Sequence, residues 1–257
     1  MHTVGELLRQ WRQRRRLSQL DLAIAADVSP RHVSLVETGK SNPSADMILR
    51  LAAQLDVPLR DRNQLLLAAG LAPRYTERPL AGNALSIARD AITRVLQAHE
   101  PYPALVLDRR LNIVLTNRAM DPFFAGMPAD LLRPPINIVR LALDPRGLAS
   151  RLVNLADVRA VLRARITRQL ANAPDAALTK LYEELLLPES EPDSGSLARE
   201  SDLVLPMIVR IDQQHLRLFS TTTTFGTPLD ITLDEVAIEL YYPADDESAA
   251  YFKRMGR

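Results

Sequence analysis

SQLDLAIAADVSPRHVSLVETGKSNPS, residues 18–44, reads as two short helices joined by a tight turn. Ser18 stands where an N-cap is needed, and Asp21 in the first turn complements the positive end of the helix that follows. Asp27-Val28-Ser29 closes that helix. Ser29-Pro30 opens the next, with Ser29 as N-cap and Pro30 at the first helical position, where a missing N–H leaves nothing unpaired. Gly39 ends it. Ala23 is small where two helices must cross at close range, and Val33 and Val36 turn inward to hold the second helix against its neighbours.

This packing leaves Arg31, His32, Ser34 and Leu35 on outward or flanking faces. A short capped helix presented N-terminus first is what reading a DNA major groove requires. Arg31 can donate two hydrogen bonds to guanine, Ser34 can reach a base edge or a phosphate, and Leu35 can touch a thymine methyl. His32 serves equally as a base reader or as a side chain facing solvent or phosphate. Gln19 is placed to bond phosphate and to brace the reading helix, whose first turn Ser29 caps. Lys40, Ser41 and Asn42 form a polar loop suited to the DNA backbone. Arg14-Arg15-Arg16 reads as a solvated face that grazes phosphate.

Working outward, the spacing predicts helices over residues 4–16, with Leu7, Leu8 and Trp11 on one face, over 44–55 behind a Ser44 cap, and over 58–70 with Leu65, Leu66 and Leu67. With the two helices of the motif these make five. The quoted stretch resembles the Xre/Cro-like helix-turn-helix, an all-α fold of five helices, over roughly residues 4–70. Asp27 is a departure, because glycine usually stands in that turn; aspartate tolerates the left-handed conformation better than most residues. The resemblance implies sequence-specific binding of double-stranded DNA. Half-sites about 34 Å apart on one face of the duplex, and the few phosphates one small domain contacts, predict a homodimer on a palindromic operator.

Composition agrees. The chain of 257 residues, 47 % hydrophobic and 25 % charged, has the balance of a folded globular protein, and its length favours two domains. The net charge of +1 conceals an asymmetry: residues 1–78 hold 12 Lys/Arg against 8 Asp/Glu, a surplus of cations, whereas the remainder is acidic. No window approaches 18 uninterrupted apolar residues and no signal-peptide core follows the N-terminus, so a cytoplasmic protein without membrane contact is expected. The absence of cysteine excludes disulfides, thiolate zinc sites and thiol nucleophiles.

Beyond the helices, Pro73, Pro79 and Gly82 mark a connection. The predicted organisation is a DNA-binding domain over 1–72, a linker and connecting helix over 73–99, and a second domain over 100–257. Leu85, Ala88, Ile92, Val95 and Leu96 give the connecting helix its apolar face. Residues 104–108 and 111–116 read as a hairpin around Arg109-Arg110, followed by helices over 155–170 and 176–187. A mobile loop is expected over 188–196. Strands follow over 203–211, 216–225 and 236–242, the first two joined by a turn at Asp212-Gln213-Gln214. The predicted second domain is α+β: a five-stranded antiparallel sheet with helices inserted after the second strand.

VPLRDRNQLLLAAGLAPRYTERPL (57–80), EPYPALVLDRR (100–110) and STTTTFGTPLDITLDEVAIELYYPAD (220–245) resemble the MmyB-like regulators, in which such a helix-turn-helix precedes a PAS-like ligand-binding domain. The resemblance implies a hydrophobic small-molecule effector of the fatty-acyl kind; no other cofactor is expected. Phe123, Phe124, Leu132 and Leu141 supply apolar surface that serves equally as cavity wall or as ordinary core. Phe219, Thr221 and Thr223 lie on a late strand, where the two threonines share a face and can turn hydroxyls toward a ligand. Arg140 either anchors a carboxylate through paired hydrogen bonds or snorkels at a helix rim. Asn117 reads as a helix cap. An alternative makes the second domain a ligand-independent dimerisation module. An enzyme is not expected: His2, His32, His99 and His215 are scattered, and no G-x-S-x-G, P-loop or H-E-x-x-H motif occurs, so neither catalytic nor metal-ligating residues are assigned.

Overall fold

The computed structural model describes residues 2–187 and 204–256, and the chain divides into two compact units. The first runs through Arg78 and takes in Ala171–Ala173 and Thr227–Asp234; the second holds Pro79–Leu170, Pro174–Gly226 and the chain from Glu235 onward.

The first unit carries α1 (Val4–Arg14), α2 (Gln19–Ala25), α3 (Pro30–Glu37), α4 (Ala45–Gln54) and α5 (Leu59–Ala68). Thr3, Ser18, Ser29 and Ser44 cap the first four, each side chain accepting a backbone N–H three residues on. Thr3 with Glu6 and Ser18 with Asp21 close reciprocal capping boxes, which satisfy two amide donors at each start. Asp27 takes φ 50° in the turn between α2 and α3, the left-handed geometry the turn demands. Helices α1 and α5 stop two residues short of the expected ends because Arg16 and Gly70 adopt φ 56° and 74° and turn the chain away.

Leu8, Trp11, Leu22, Ala23, Val33, Val36, Ile48, Leu51, Leu65 and Leu66 form one core. Leu67, expected with them, is half exposed on the far side of α5. Helix α1 lies against the C-terminal backbone of α3 at Gly5, where a Cβ would fall 2.3 Å from the Val36 carbonyl oxygen. That approach leaves room for hydrogen alone.

In the second unit a 3-10 turn (Asn83–Leu85) leads into α6 (Ser86–Ala98). Strands β1 (Ala104–Leu107), β2 (Ile113–Thr116), β3 (Met207–Ile211), β4 (Gln214–Thr223) and β5 (Ala237–Pro243) form an antiparallel sheet ordered β2-β1-β5-β4-β3. Between β2 and β3 come a 3-10 turn (Arg118–Met120), α7 (Asp121–Phe124), α8 (Ile138–Leu143), α9 (Leu155–Asn172) and α10 (Ala176–Leu185). Helix α11 (Ile231–Glu235), which belongs to the first unit up to Asp234, precedes β5 in the chain, and α12 (Asp246–Met255), capped by Asp245, follows β5. Neither is foreseen by the sequence reading, which ends at the last strand.

Asp212 and Gln213 both take positive φ, 48° and 62°, and make the two-residue turn whose twist matches the β3–β4 hairpin. The strand expected over 203–211 begins only at Met207, after Pro206, which has no N–H for a ladder; Leu203 and the loop expected over 188–196 lie outside the described residues. The next strand is Gln214–Thr223, so Thr224 and Phe225 fall beyond it. Asn117 stands at the N-cap position of the 3-10 turn, but its side chain does not cap it: Oδ1 accepts the Ala104 N–H while Nδ2 donates to the Leu96 and Tyr102 carbonyls, knitting α6 to β1.

One sheet face, with Leu105, Leu107, Val209, Ile211, Leu216 and Leu218, packs against Phe123, Leu141, Ile166 and Leu178 of the inserted helices. No helix among the described residues is long and apolar enough to cross a membrane.

Candidate DNA-reading face and effector cavity

The reading helix is fixed by one buried carboxylate. Glu37, at the end of α3, receives Arg12 Nε at 2.6 Å and Arg12 Nη2 at 2.8 Å from α1, and Gln19 Nε2 at 2.8 Å from α2. Arg12 also donates to the Leu17 carbonyl at 2.8 Å. Three helices therefore share one charge-assisted hub. Burial pushes the Glu37 carboxyl up, but the hydrogen bonds from Arg12 and Gln19 and the charges of Arg12 and Arg9 outweigh it and leave the group below its ordinary value.

Gln19 thus braces α3, with its amide nitrogen on Glu37. Ser29 is exposed and caps α3, accepting the His32 N–H at 3.2 Å. Arg31 is exposed, and among the described residues no carboxylate pairs with it. Ser34 and Leu35 are half-buried beside it. His32 is half-buried too, and its Nε2 is shut off from solvent without a hydrogen-bond partner. Lys40 and Asn42 are exposed on a loop whose Lys40 and Ser41 amides close onto the Leu35 carbonyl at 2.8 and 3.1 Å.

The arginine run is less solvated than its sequence suggests. Arg15 donates to the Leu55 and Asp56 carbonyls at the end of α4, and the guanidinium groups of Arg14 and Arg15 lie 5.0 and 5.6 Å from the centre of the Trp11 ring. The sequence reading missed the Arg12–Glu37 hub. Its one available signal was an acid in register with the inward Val33 and Val36.

In the second unit the candidate ligand residues separate. Phe123 and Leu141 are fully buried in the core, with Phe124 and Leu132 packed against it. Arg140 is half exposed and forms a two-pronged pair with Glu184 at 2.7 and 2.6 Å. Phe219 stacks on Tyr242 with ring centroids 5.4 Å apart. Thr221 and Thr223 are exposed, and alternation puts them with Phe219 on the sheet face opposite Leu216 and Leu218.

A cavity of 110 Å³ lies between α9 and strands β3–β5. Val158, Val161, Leu162, Met207 and Leu218 are among its apolar walls, and Phe219 is among the residues that line it. Its polar end is Arg165, whose Nη1 bridges both Glu239 oxygens at 3.1 and 3.2 Å, with Ser220 Oγ donating to Glu239 at 3.1 Å. Burial, and then the charge on Glu239, raise the Tyr241 phenol beside it well above its ordinary value. A wider cleft of 650 Å³, lined by Glu100, Arg118, Asp121, Asp212, Phe252 and Met255 among others, opens near the end of α12. Apart from Phe219, none of the candidate ligand residues lines either space.

Two family models match the chain. A helix-turn-helix model covers residues 8–61, and the MmyB-like transcription regulator ligand binding domain covers residues 88–255. No curated protein matches it. The first match spans the helices braced by Glu37, and the second spans the sheet, its inserted helices and both cavities. A DNA-reading unit and a ligand-binding domain therefore lie on one polypeptide, and the chain belongs to the MmyB-like transcription regulators.

Proposed function

We propose that the protein is a one-component sensor, a homodimer whose two α3 helices enter successive major grooves of a palindromic operator and whose PAS-like second domain binds a hydrophobic, acyl-chain-like effector. The observation that carries the effector reading is the apolar-walled cavity under α9 with one polar end. Sheet order β2-β1-β5-β4-β3 with helices inserted between β2 and β3 supports the PAS-like description.

At 110 Å³ the cavity is smaller than the roughly 300–1,000 Å³ of ordinary ligand sites. Filling it with an acyl chain requires α9 to move from the strands, so the ligand prefers one conformation over another. That differential affinity is what a regulator needs. Exposed Arg31 and Lys40 supply the base-edge and phosphate donors on the other unit. In this proposal the chain carries no catalytic step and its effector is its only small-molecule partner.

Native mass spectrometry of the untreated protein, followed by thermal shift with acyl compounds, tests the effector; absence of both a bound lipid and a shift leaves a ligand-independent dimerisation module. A gel shift on DNA upstream of the protein's own gene, at two salt concentrations, tests the operator. No sequence-selective complex at moderate salt defeats that part.

A further inference from the structure

Helix α5 is capped from the far end of the sequence. Asp234 Oδ2 accepts the Leu59 N–H at 3.0 Å across a separation of 175 residues. That amide opens α5, and its own N-cap residue, Pro58, contributes no side-chain hydrogen bond. The first N–H groups of a helix have no partner inside it, so an outside carboxylate completes this one.

Asp234 is held there by its segment. The Ile231 N–H bonds the Thr76 carbonyl at 2.9 Å, Thr76 Oγ1 donates to Asp230 at 3.0 Å, and Thr232 Oγ1 donates to the Arg78 carbonyl at 2.6 Å. Asp230 and Ile231 are buried. The segment Thr227–Asp234 belongs to the first unit, yet it is continuous with β4 and β5 of the second. The very next residue, Glu235, lies in the second unit, where it accepts Arg109 Nη1 at 3.1 Å. Arg109 also pairs with Asp175 at 2.5 Å, the carboxylate that caps α10. Two neighbouring carboxylates on one helical turn thus hold different units.

We propose that Asp234 is a positioning residue for the DNA-reading unit: a cap that is withdrawn from α5 when the second unit moves Glu235. Leu65 and Leu66 of α5 share a core with Val33 and Val36 of α3, so a frayed α5 loosens the bed of the reading helix.

Hydrogen exchange on the full chain tests it through Asp234→Ala, Asp234→Asn, Arg109→Gln and the double variant Arg109→Gln/Asp234→Ala. Asp234→Ala speeds exchange of the Leu59–Asp61 amides about fivefold, the usual effect of a lost cap, and Asp234→Asn, a good cap, restores protection. Arg109→Gln speeds the same amides although it lies in the other unit, and adds nothing once Asp234 is alanine. The proposal is overturned if Arg109→Gln leaves those amides unchanged while β4 and β5 stay protected, or if the two substitutions act additively. Should Arg109→Gln strip protection from β4 and β5, Glu235→Gln is read by the same two criteria.

Discussion

The two units solve opposite problems with the same kind of ion pair. In the first, Arg12 and Glu37 are buried between tightly packed helices, and the pair fixes one arrangement of the reading surface. In the second, Arg165 and Glu239 sit at the end of a cavity, beside space that a ligand can fill. A buried pair with every neighbour packed makes a rigid part; the same pair beside a void leaves room for a second arrangement. In the proposed function that difference suits the first unit to output and the second to sensing.

Removing Glu37 strikes hardest at that contrast. Glu37→Ala strands Arg12 in the core and is expected to destabilise the first unit by about 3–5 kcal/mol, read by urea unfolding, and to abolish operator binding. Gly5→Ala drives a methyl into the Val36 carbonyl, and a loss of about 1–3 kcal/mol follows, with the reading helix displaced. The opposite operation suits the second unit. Leu162→Phe fills the cavity and is expected to remove lipid from the native mass spectrum while leaving the gel shift of the effector-free protein intact.

Acid sharpens the comparison. The Glu37 carboxyl is lower in the folded state than in the unfolded one, so its stabilisation is complete above the unfolded carboxylate range, near pH 4.5, and is lost as pH falls through the folded value. Asp175 behaves alike: burial raises it, and the Leu178 amide with Arg110 and Arg109 more than reverses that. Through these two carboxylates each unit weakens as pH falls, and Glu37→Gln should flatten the acid limb for the first unit's helices alone, measured by exchange. The smallest effect is expected at the surface: Arg140→Gln breaks an exposed pair worth about 0–1 kcal/mol, and unchanged effector binding distinguishes a surface clasp from a carboxylate anchor.

The first unit was legible because its determinants are local. Ser18, Ser29, Pro30 and Asp27 act within a few residues of themselves, so caps, turn and helix order can be read directly. The Arg12–Glu37 hub joins residues 25 apart through burial, and nothing in the spacing names the partner. In the second unit the strands and their turn followed from alternation and from Asp212-Gln213, whereas the site did not. Phe123 and Val161 look alike as apolar residues on helices; only packing makes one core and the other cavity wall. Arg140 among apolar neighbours resembled an anchor because Glu184, 44 residues on, is invisible locally.

The buried hub also changes how the protein's charge meets DNA. Arg12 is neutralised by Glu37, and Arg15 is committed to the end of α4, so neither is free to displace counterions from a phosphate. The salt dependence of operator binding should accordingly count Arg31, Lys40 and other exposed cations, and its slope should be shallower than the basic composition of the N-terminal region suggests. A regulator built this way leans on fit at the base edges more than on general attraction to the duplex, which favours discrimination between sites over lingering on the wrong ones.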